Sequence, residues 1–542
     1  MKRIMLGNPS RTPVGLARPL AARLAALACC ALAVVGARAD EPPAFPGAVG
    51  QGAASVGGRG GVVYHVTTLE DYAPHKGEEK IEGSFRHALR AEIGPRTIVF
   101  DVSGVIHLRE PIQIQKDRVT VAGQTSPGGI TLLGYPLEVS GAKDVVVRHL
   151  RVRCGDLHAR PEGTTLGKSR PSNGDLEGSS ANAVHIGNGA ERVIFDHVSA
   201  TWGIDETLSV TKARDVTVQN CLIAEALDES LHAKGAHGYG TLVRGALTAE
   251  DQRACRGGYT FYGNLWAHNR ARNPSIAGAQ SLEKGAPESQ RRRTDVNLVN
   301  CVVYDWGDQA THRSQLGMVR LNLIGNYFVV GPSKAAEYFF RGGGNRPGYD
   351  SSPTEVYHRG NYFDADQNKR HDGRAVASRE QVASGFRHLD DDDSLRSDGE
   401  PFCFYDQPLA EATQPAEVAY EKVCQGVGAS LWRDAIDTRI LRTLEQRSGR
   451  VIDSQESLRG DDGALAGVDD LPERRRNDGF DRDRDGIADA FELRHGLDPS
   501  DPSDADQTAL AESLGLAGFT NLEAYLHTLT SPDAIPQPSA AQ

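Results

Sequence analysis

VVVRHLRV (145–152), VIFDHVSA (193–200) and VTVQNCLI (216–223) repeat one phrase: alternating or β-branched residues, a polar residue, then a second short run. The phrase returns as TFYGNLWA (260–267), VNLVNCVV (296–303), NLIGNYFV (322–329) and YHRGNYFD (357–364). β-branched and aromatic residues suit a pleated strand, and the polar residue marks a turn. A strand–turn–strand unit recurring every few tens of residues defines a solenoid, each copy a coil stacked on the last. His149, His197, Asn220, Asn264, Asn300, Asn326 and Asn361 hold the polar place. That spacing predicts a ladder of side-chain amides hydrogen-bonded from coil to coil. The predicted fold is all-β, a right-handed parallel β-helix.

Solenoid growth in one dimension accommodates 542 residues, and the 59 glycines suit many tight corners. Residues 1–39 read as a secretory leader: five basic residues, an apolar run at 24–35, and the Ala37-Arg38-Ala39 cleavage site. The apolar run is too short to span a bilayer. The leader carries six basic and no acidic residues, so its removal takes the formal charge from −12 to −18. Such a field excludes binding of nucleic acid through overall charge, and an anionic ligand needs local cations or a metal. Six cysteines remain without zinc spacing. Cys221 and Cys301 read as buried fillers of the stack, and Cys403 and Cys424 as a candidate disulfide.

The glycine-dense stretch at 45–61 is expected to open the first coil, and 83–90 to form a short helix capping the solenoid. The β-helix is assigned 40–405, with long polar loops thrown from one corner at 155–181, 225–258, 270–294 and 331–353. DDDD at 390–393 reads as a solvated loop. A helical extension (406–453) packs back on the coils. A linker (454–477), a small acidic module (478–530) and a disordered tail (531–542) follow. The chain reads as a monomer.

HNRARNPSIAG (268–278) places Arg270 and Arg272 on a corner loop of an acidic protein. A surface ion pair is one account of them; a guanidinium clamp for a carboxylate-bearing sugar is the other. The sequence here resembles the bacterial pectate lyases of polysaccharide lyase family 1. The resemblance rests on AFPGAVGQGA, GGRGG, GPRTIVFDVSGVI, TVAGQTSPGGITLLGYP, RCGD, VIFDHVSATWGIDE, HAKGAHGYG, the R-x-P of Arg272-Asn273-Pro274, GASLWRDAIDTRI and GLDPSDPSD. It spans about Phe45 to Thr528.

The resemblance implies a secreted, calcium-dependent lyase that cleaves polygalacturonate by β-elimination. It makes Arg272 the base, Lys234 a substrate-binding lysine and Asp156 a calcium ligand. Where family members place a second acidic ligand, this chain has Asn182, with Asp175 or Glu177 able to compensate. Family members also carry further arginines after the R-x-P. Here Ser275 and Ala277 stand there, which leaves Arg270 as the substitute. Asp205 and Glu206, adjacent on a turn, read as metal or substrate ligands or as a solvated turn. Lys212, His232 and His237 are the other substrate-binding candidates, whereas His149 and His197 read as structural.

Asp481, Asp483, Asp485, Gly486, Asp489 and Glu492 fall at positions one, three, five, six, nine and twelve of an EF-hand-type calcium loop. One structural calcium is expected there. The alternatives to a lyase are a polygalacturonase-like hydrolase, which needs carboxylates flanking the bond, and an inactive pectin-binding solenoid.

Overall fold

The computed structural model describes residues 41–158, 181–230, 232, 234–245, 247–277, 293–314, 318–342, 354–387, 389 and 395–531. The expected leader, Asp175, Glu177, the DDDD run and the tail beyond 531 lie outside them. From Pro42 onward the chain forms one compact unit.

The described strands form three sheets of eleven, eleven and nine strands. Each coil visits them in turn: Glu191–Asp196 lies in the first sheet, Ser199–Thr201 in the second and Glu206–Thr211 in the third. Neighbouring strands pair parallel. The antiparallel exceptions are the two-residue strands Arg374–Ala375 and Arg474–Arg475 at the ends of the second sheet. The register stacks like on like: Ile98, Val121, Val147, Phe195, Val218, Phe261, Leu298 and Leu323 form one buried column inside the first sheet. This is the predicted β-helix.

The ladder exists, but its membership differs from the expected one. Strand pairing aligns His149, His197, Asn220, Gly263, Asn300, Gly325 and Gly360 one after another at the turn leaving the first sheet. All seven have φ between 51° and 65°. Glycine, asparagine and histidine are tolerated in this left-handed region. The next place holds Cys221, Asn264, Cys301, Asn326 and Asn361, and here the ladder runs. The Cys221 N–H donates to Asn264 Oδ1 (2.8 Å), the Cys301 N–H to Asn326 Oδ1 (2.9 Å) and the Asn326 N–H to Asn361 Oδ1 (3.0 Å). Asn220 and Asn300 therefore serve the backbone bend rather than the ladder. His149 and His197 stack ring on ring, 4.8 Å between centroids, as structural residues.

The stretch at 45–61 does not open the first coil, which begins at Val62–Val66. It lies across the outside of the first sheet, with Gly52 N–H donating to Thr217 Oγ1 (2.9 Å) and Gly58 N–H to Thr120 Oγ1 (2.8 Å). A Cβ on Gly58 would stand 2.0 Å from the Arg96 carbonyl oxygen, so only glycine permits the approach. Phe85–Arg90 forms the expected cap, with Ser84 accepting from the His87 N–H and Phe85 and Leu89 buried.

The disulfide joins Cys255 to Cys403, not Cys403 to Cys424. Residues 402–404 run over the outer face of the first sheet, where Phe402 N–H donates to Asn322 Oδ1 and the Phe404 carbonyl accepts from Asn297. Cys255 ends the helix Ala249–Ala254 just before the strand Tyr259–Tyr262 of that sheet. Cys424 belongs to the helix Ala416–Gly426, on another side of the coil stack.

The helix Ala435–Gln446 seals the second sheet. Arg153, on that sheet, reaches Asp434 and Asp437 at 2.7 Å each, and all three side chains are fully buried. Truncating one partner of such a buried cluster leaves carboxylates unpaired. Arg153→Ala is therefore expected to cost about 3–5 kcal/mol, read as a lower denaturation midpoint at unchanged slope. The stretch expected to be a linker is packed instead: Gln455, Leu465 and Val468 are buried, and Arg474–Arg475 pairs with Val102 and Ser103.

Candidate active site and candidate metal centre

The loops that enter the third sheet carry the reactive side chains. Glu206 opens the strand Glu206–Thr211, Tyr239 opens Tyr239–Arg244, and Arg272 precedes Ser275–Ala277 in the next coil. Glu206 pairs directly with Tyr239. Arg272, at φ 62°, lays its guanidinium over the Tyr239 ring (3.8 Å) and ion-pairs with Glu206. Tyr239 packs against His237 at a tilt of 60° (4.1 Å between centroids), and His237 stacks on His232 (3.6 Å, planes 9° apart). His237 Nε2 lies 3.1 Å from Asp205 Oδ1, a buried oxygen without a hydrogen-bond partner. One run of ring contacts thus joins Arg272, Tyr239, His237 and His232, with Glu206 and Asp205 along its edge.

Burial and the Asp205 carboxylate push the Glu206 carboxyl up, and Arg272 opposes them. Burial, then the Arg272 charge, pushes His237 down to about 4, and burial with His237 does the same to His232. Both rings are therefore neutral near pH 7. The His232 Nδ1 accepts from the Lys234 N–H (3.1 Å). Ligand atoms of Asp205, His232 and His237 lie within 4.8 Å of one another.

Several expected residues lie elsewhere or are engaged otherwise. Asp156 is buried, and its carboxylate accepts from Gln455 Nε2 (2.7 Å), Ser454 Oγ (3.2 Å) and Ser230 Oγ (3.4 Å). Ser454 and Gln455 bring the packed C-terminal stretch to the position expected to ligate calcium. Asn182 Oδ1 accepts from the Glu206 N–H (3.0 Å), so this amide positions the Glu206 backbone. Arg270 donates to Asp228 Oδ2 (2.9 Å), an ion pair that ties two loops and leaves it uncommitted to a ligand only on its exposed side. Lys234 is exposed on the loop. Lys212 follows the strand Glu206–Thr211 at the far edge of the sheet, roughly 20 Å from Glu206 at 3.3 Å per residue. Tyr239 was not among the expected residues, although it lies within the HAKGAHGYG block.

The acidic module closes on a second centre. Asp481 Oδ1, both oxygens of Asp483, Asp485 Oδ2, both oxygens of Glu492 and Asp504 Oδ1 are buried without a hydrogen-bond partner. Ligand oxygens of Asp481, Asp483 and Asp485, and those of Asp485, Glu492 and Asp504, come within 4.8 Å of one another. Burial first, then the neighbouring carboxylates, pushes Asp485 and Glu492 up to about 8. Orphaned carboxylate oxygens in such number fit a hard divalent cation. Asp489 is not in this set: it accepts from the Arg482 N–H and guanidinium, both at 2.9 Å. Asp504, 23 positions further along the chain than Asp481, joins in its stead. The module docks on the first coils through Ile487, Leu522 and Leu526 against Ala122, and through His65 Nε2 at 3.4 Å from Asp481.

No family model matches the chain. It is 32% identical over 520 residues to a "Probable pectate lyase C" of Neosartorya fischeri, covering 95% of this chain and 98% of that one. It is also 32% identical over 488 residues to a protein of the same name from Emericella nidulans, covering 90% and 92%. These relatives are fungal, unlike the bacterial proteins whose motifs the sequence resembles. Among solved structures, jun a 1, the major allergen from cedar pollen, overlays with a TM-score of 0.47 at 17% identity, covering 70% of this chain and 92% of that one.

Proposed function

This polysaccharide lyase belongs to the pectate lyase family, and we propose that it is an exported, calcium-dependent enzyme that cleaves polygalacturonate by β-elimination. The reading is supported above all by the Arg272 guanidinium held between the Tyr239 ring and Glu206, beside Asp205, on the loop rim of the third sheet.

β-Elimination removes the C5 proton of a uronate, forms the C4=C5 double bond and breaks the C4–O bond, the departing sugar oxygen taking a proton from solvent. Calcium, when bound, neutralises the uronate carboxylate and so lowers the barrier to loss of that proton. Asp205 and Glu206 are the carboxylates that would hold it: they are adjacent, and the buried Asp205 Oδ1 has no hydrogen-bond partner. In this reading Arg272 takes the C5 proton from its place over Tyr239. Any turn of Glu206 toward a bound cation releases Arg272. Alkaline operation follows, because a guanidinium is hard to deprotonate. Asn182 fixes the Glu206 backbone, and the exposed Lys234 ammonium is free to meet a second uronate.

Native enzyme incubated with polygalacturonate and calcium at alkaline pH is expected to release ultraviolet-absorbing unsaturated oligouronides, and chelator is expected to stop it. New saturated reducing ends without that absorbance would mean hydrolysis and overturn the reading. Binding without any product would reduce the protein to a pectin-binding solenoid.

A further inference from the structure

Arg244 ends the strand Tyr239–Arg244 of the third sheet. Its neighbour Val243 points into the core and is fully buried, so Arg244 faces outward, as side chains alternate along a strand. Register sets Thr211 beside it in the preceding coil and Ala277 in the following one, about 4.8 Å away on each side. Both neighbours are small, which leaves the long side chain room to lie along the sheet. The strand end is fixed from behind: the Arg244 carbonyl accepts from the Lys212 N–H (3.0 Å) and from Tyr259 Oη (3.3 Å).

Its guanidinium is close enough to Glu206, Asp205 and Arg272 for their charges to act on it. Yet its Nε is buried with no hydrogen-bond partner, and among the described residues no carboxylate pairs with it. The other arginines of the site are committed, Arg272 to Glu206 and Arg270 to Asp228. A half-buried guanidinium with unused donors, beside another guanidinium, is a costly arrangement unless an anion completes it. The register partner in the next coil, Ala277, supplies no cation.

We propose that Arg244 is a substrate-binding residue whose guanidinium takes the carboxylate of a uronate unit bound along the third sheet, next to the unit attacked at Arg272. This rests on the lyase reading for the identity of the ligand. Arg244 does not take part in proton transfer; it sets affinity and the register of the polymer.

The test is calorimetric binding of trigalacturonate in calcium, which is read without turnover, together with steady-state kinetics. A charge-assisted contact of this kind is expected to be worth about 10- to 100-fold in binding. Arg244→Ala should weaken trigalacturonate binding and raise KM by that factor, with kcat changed less than about threefold. Arg244→Lys should recover only part, since a lysine cannot form the paired contact. Arg244→Ala combined with Ala277→Arg, which returns a guanidinium from the facing strand, should restore most of the affinity. Native-like unfolding curves for each variant exclude a folding defect. Native affinity in Arg244→Ala overturns the proposal. If the native chain binds trigalacturonate but forms no unsaturated product, the reaction assignment falls, while Arg244 is still judged by the binding ratio.

Discussion

Arg272→Ala is expected to lower kcat on polygalacturonate by about 10³-fold or more, within the 10²–10⁴ attributed to a positioned base and with the loss of the clamp added. KM should rise far less, because Lys234 and other cations still meet the polymer. The substitution removes the ion-pair partner of Glu206, a carboxyl that burial already pushes up. Glu206 is then expected to hold a proton, so Arg272→Ala should also weaken any calcium dependence of substrate binding. Arg272→Lys keeps a charge but loses the planar stack on Tyr239 and should remain severely impaired. Arg270→Ala is the internal contrast. Its partner Asp228 sits in a partly exposed loop pair, and such pairs contribute at most about 1 kcal/mol. Activity within about tenfold of native is expected there. An Arg272→Ala enzyme of near-native kcat would remove the base assignment.

Calcium is expected to convert the acidic module from its least to its most protected state at alkaline pH. Without the ion, Asp485 and Glu492 titrate near 8 in the folded module and near 4 when unfolded. Between those values the folded state holds protons that the unfolded state has released. Stability of the ion-free module is therefore greatest below about pH 4 and falls as pH rises toward and through 8. A cation that binds only the folded module reverses the trend, contributing about 4 kcal/mol when its free concentration is a thousand times its Kd. Amide hydrogen exchange across 478–530 reads this locally. In chelator, protection should be lower at pH 9 than at pH 5, and calcium should restore it at pH 9. Glu492→Gln should raise protection in chelator at pH 9 and abolish most of the calcium effect. Exchange in the native chain that ignores both calcium and pH would show that the seven orphaned oxygens do not form an ion site.

The repeat was legible because a solenoid writes its period into the chain: each coil carries its own strands and its own turn. What the repeat could not reveal was which of two neighbouring turn places each asparagine occupies. Gly-Asn and Asn-Cys read alike as polar turns, and only strand register separates the left-handed bend from the ladder one residue later. Arg272, Glu206, Asp205, His232 and His237 were legible as blocks, and they do assemble. Arg244 was not, because its meaning comes from Ala277, 33 positions later in the sequence and one coil away in space. The surroundings of Asp156 were hidden for a similar reason. Nothing near the RCGD block discloses that Ser454 and Gln455 return to cover its carboxylate. The disulfide had the same character: Cys255 and Cys403 are 148 residues apart, joined by sheet stacking that proximity in sequence cannot report. In the acidic module the loop spacing was visible, whereas the diversion of Asp489 to Arg482 and the entry of Asp504 depend on how the segment folds back.

The most direct measurement uses polygalacturonate labelled with deuterium at C5. With native enzyme and calcium, the account predicts a primary isotope effect on turnover, loss of the label to water and an unsaturated product. A saturated product that keeps its C5 deuterium would contradict it.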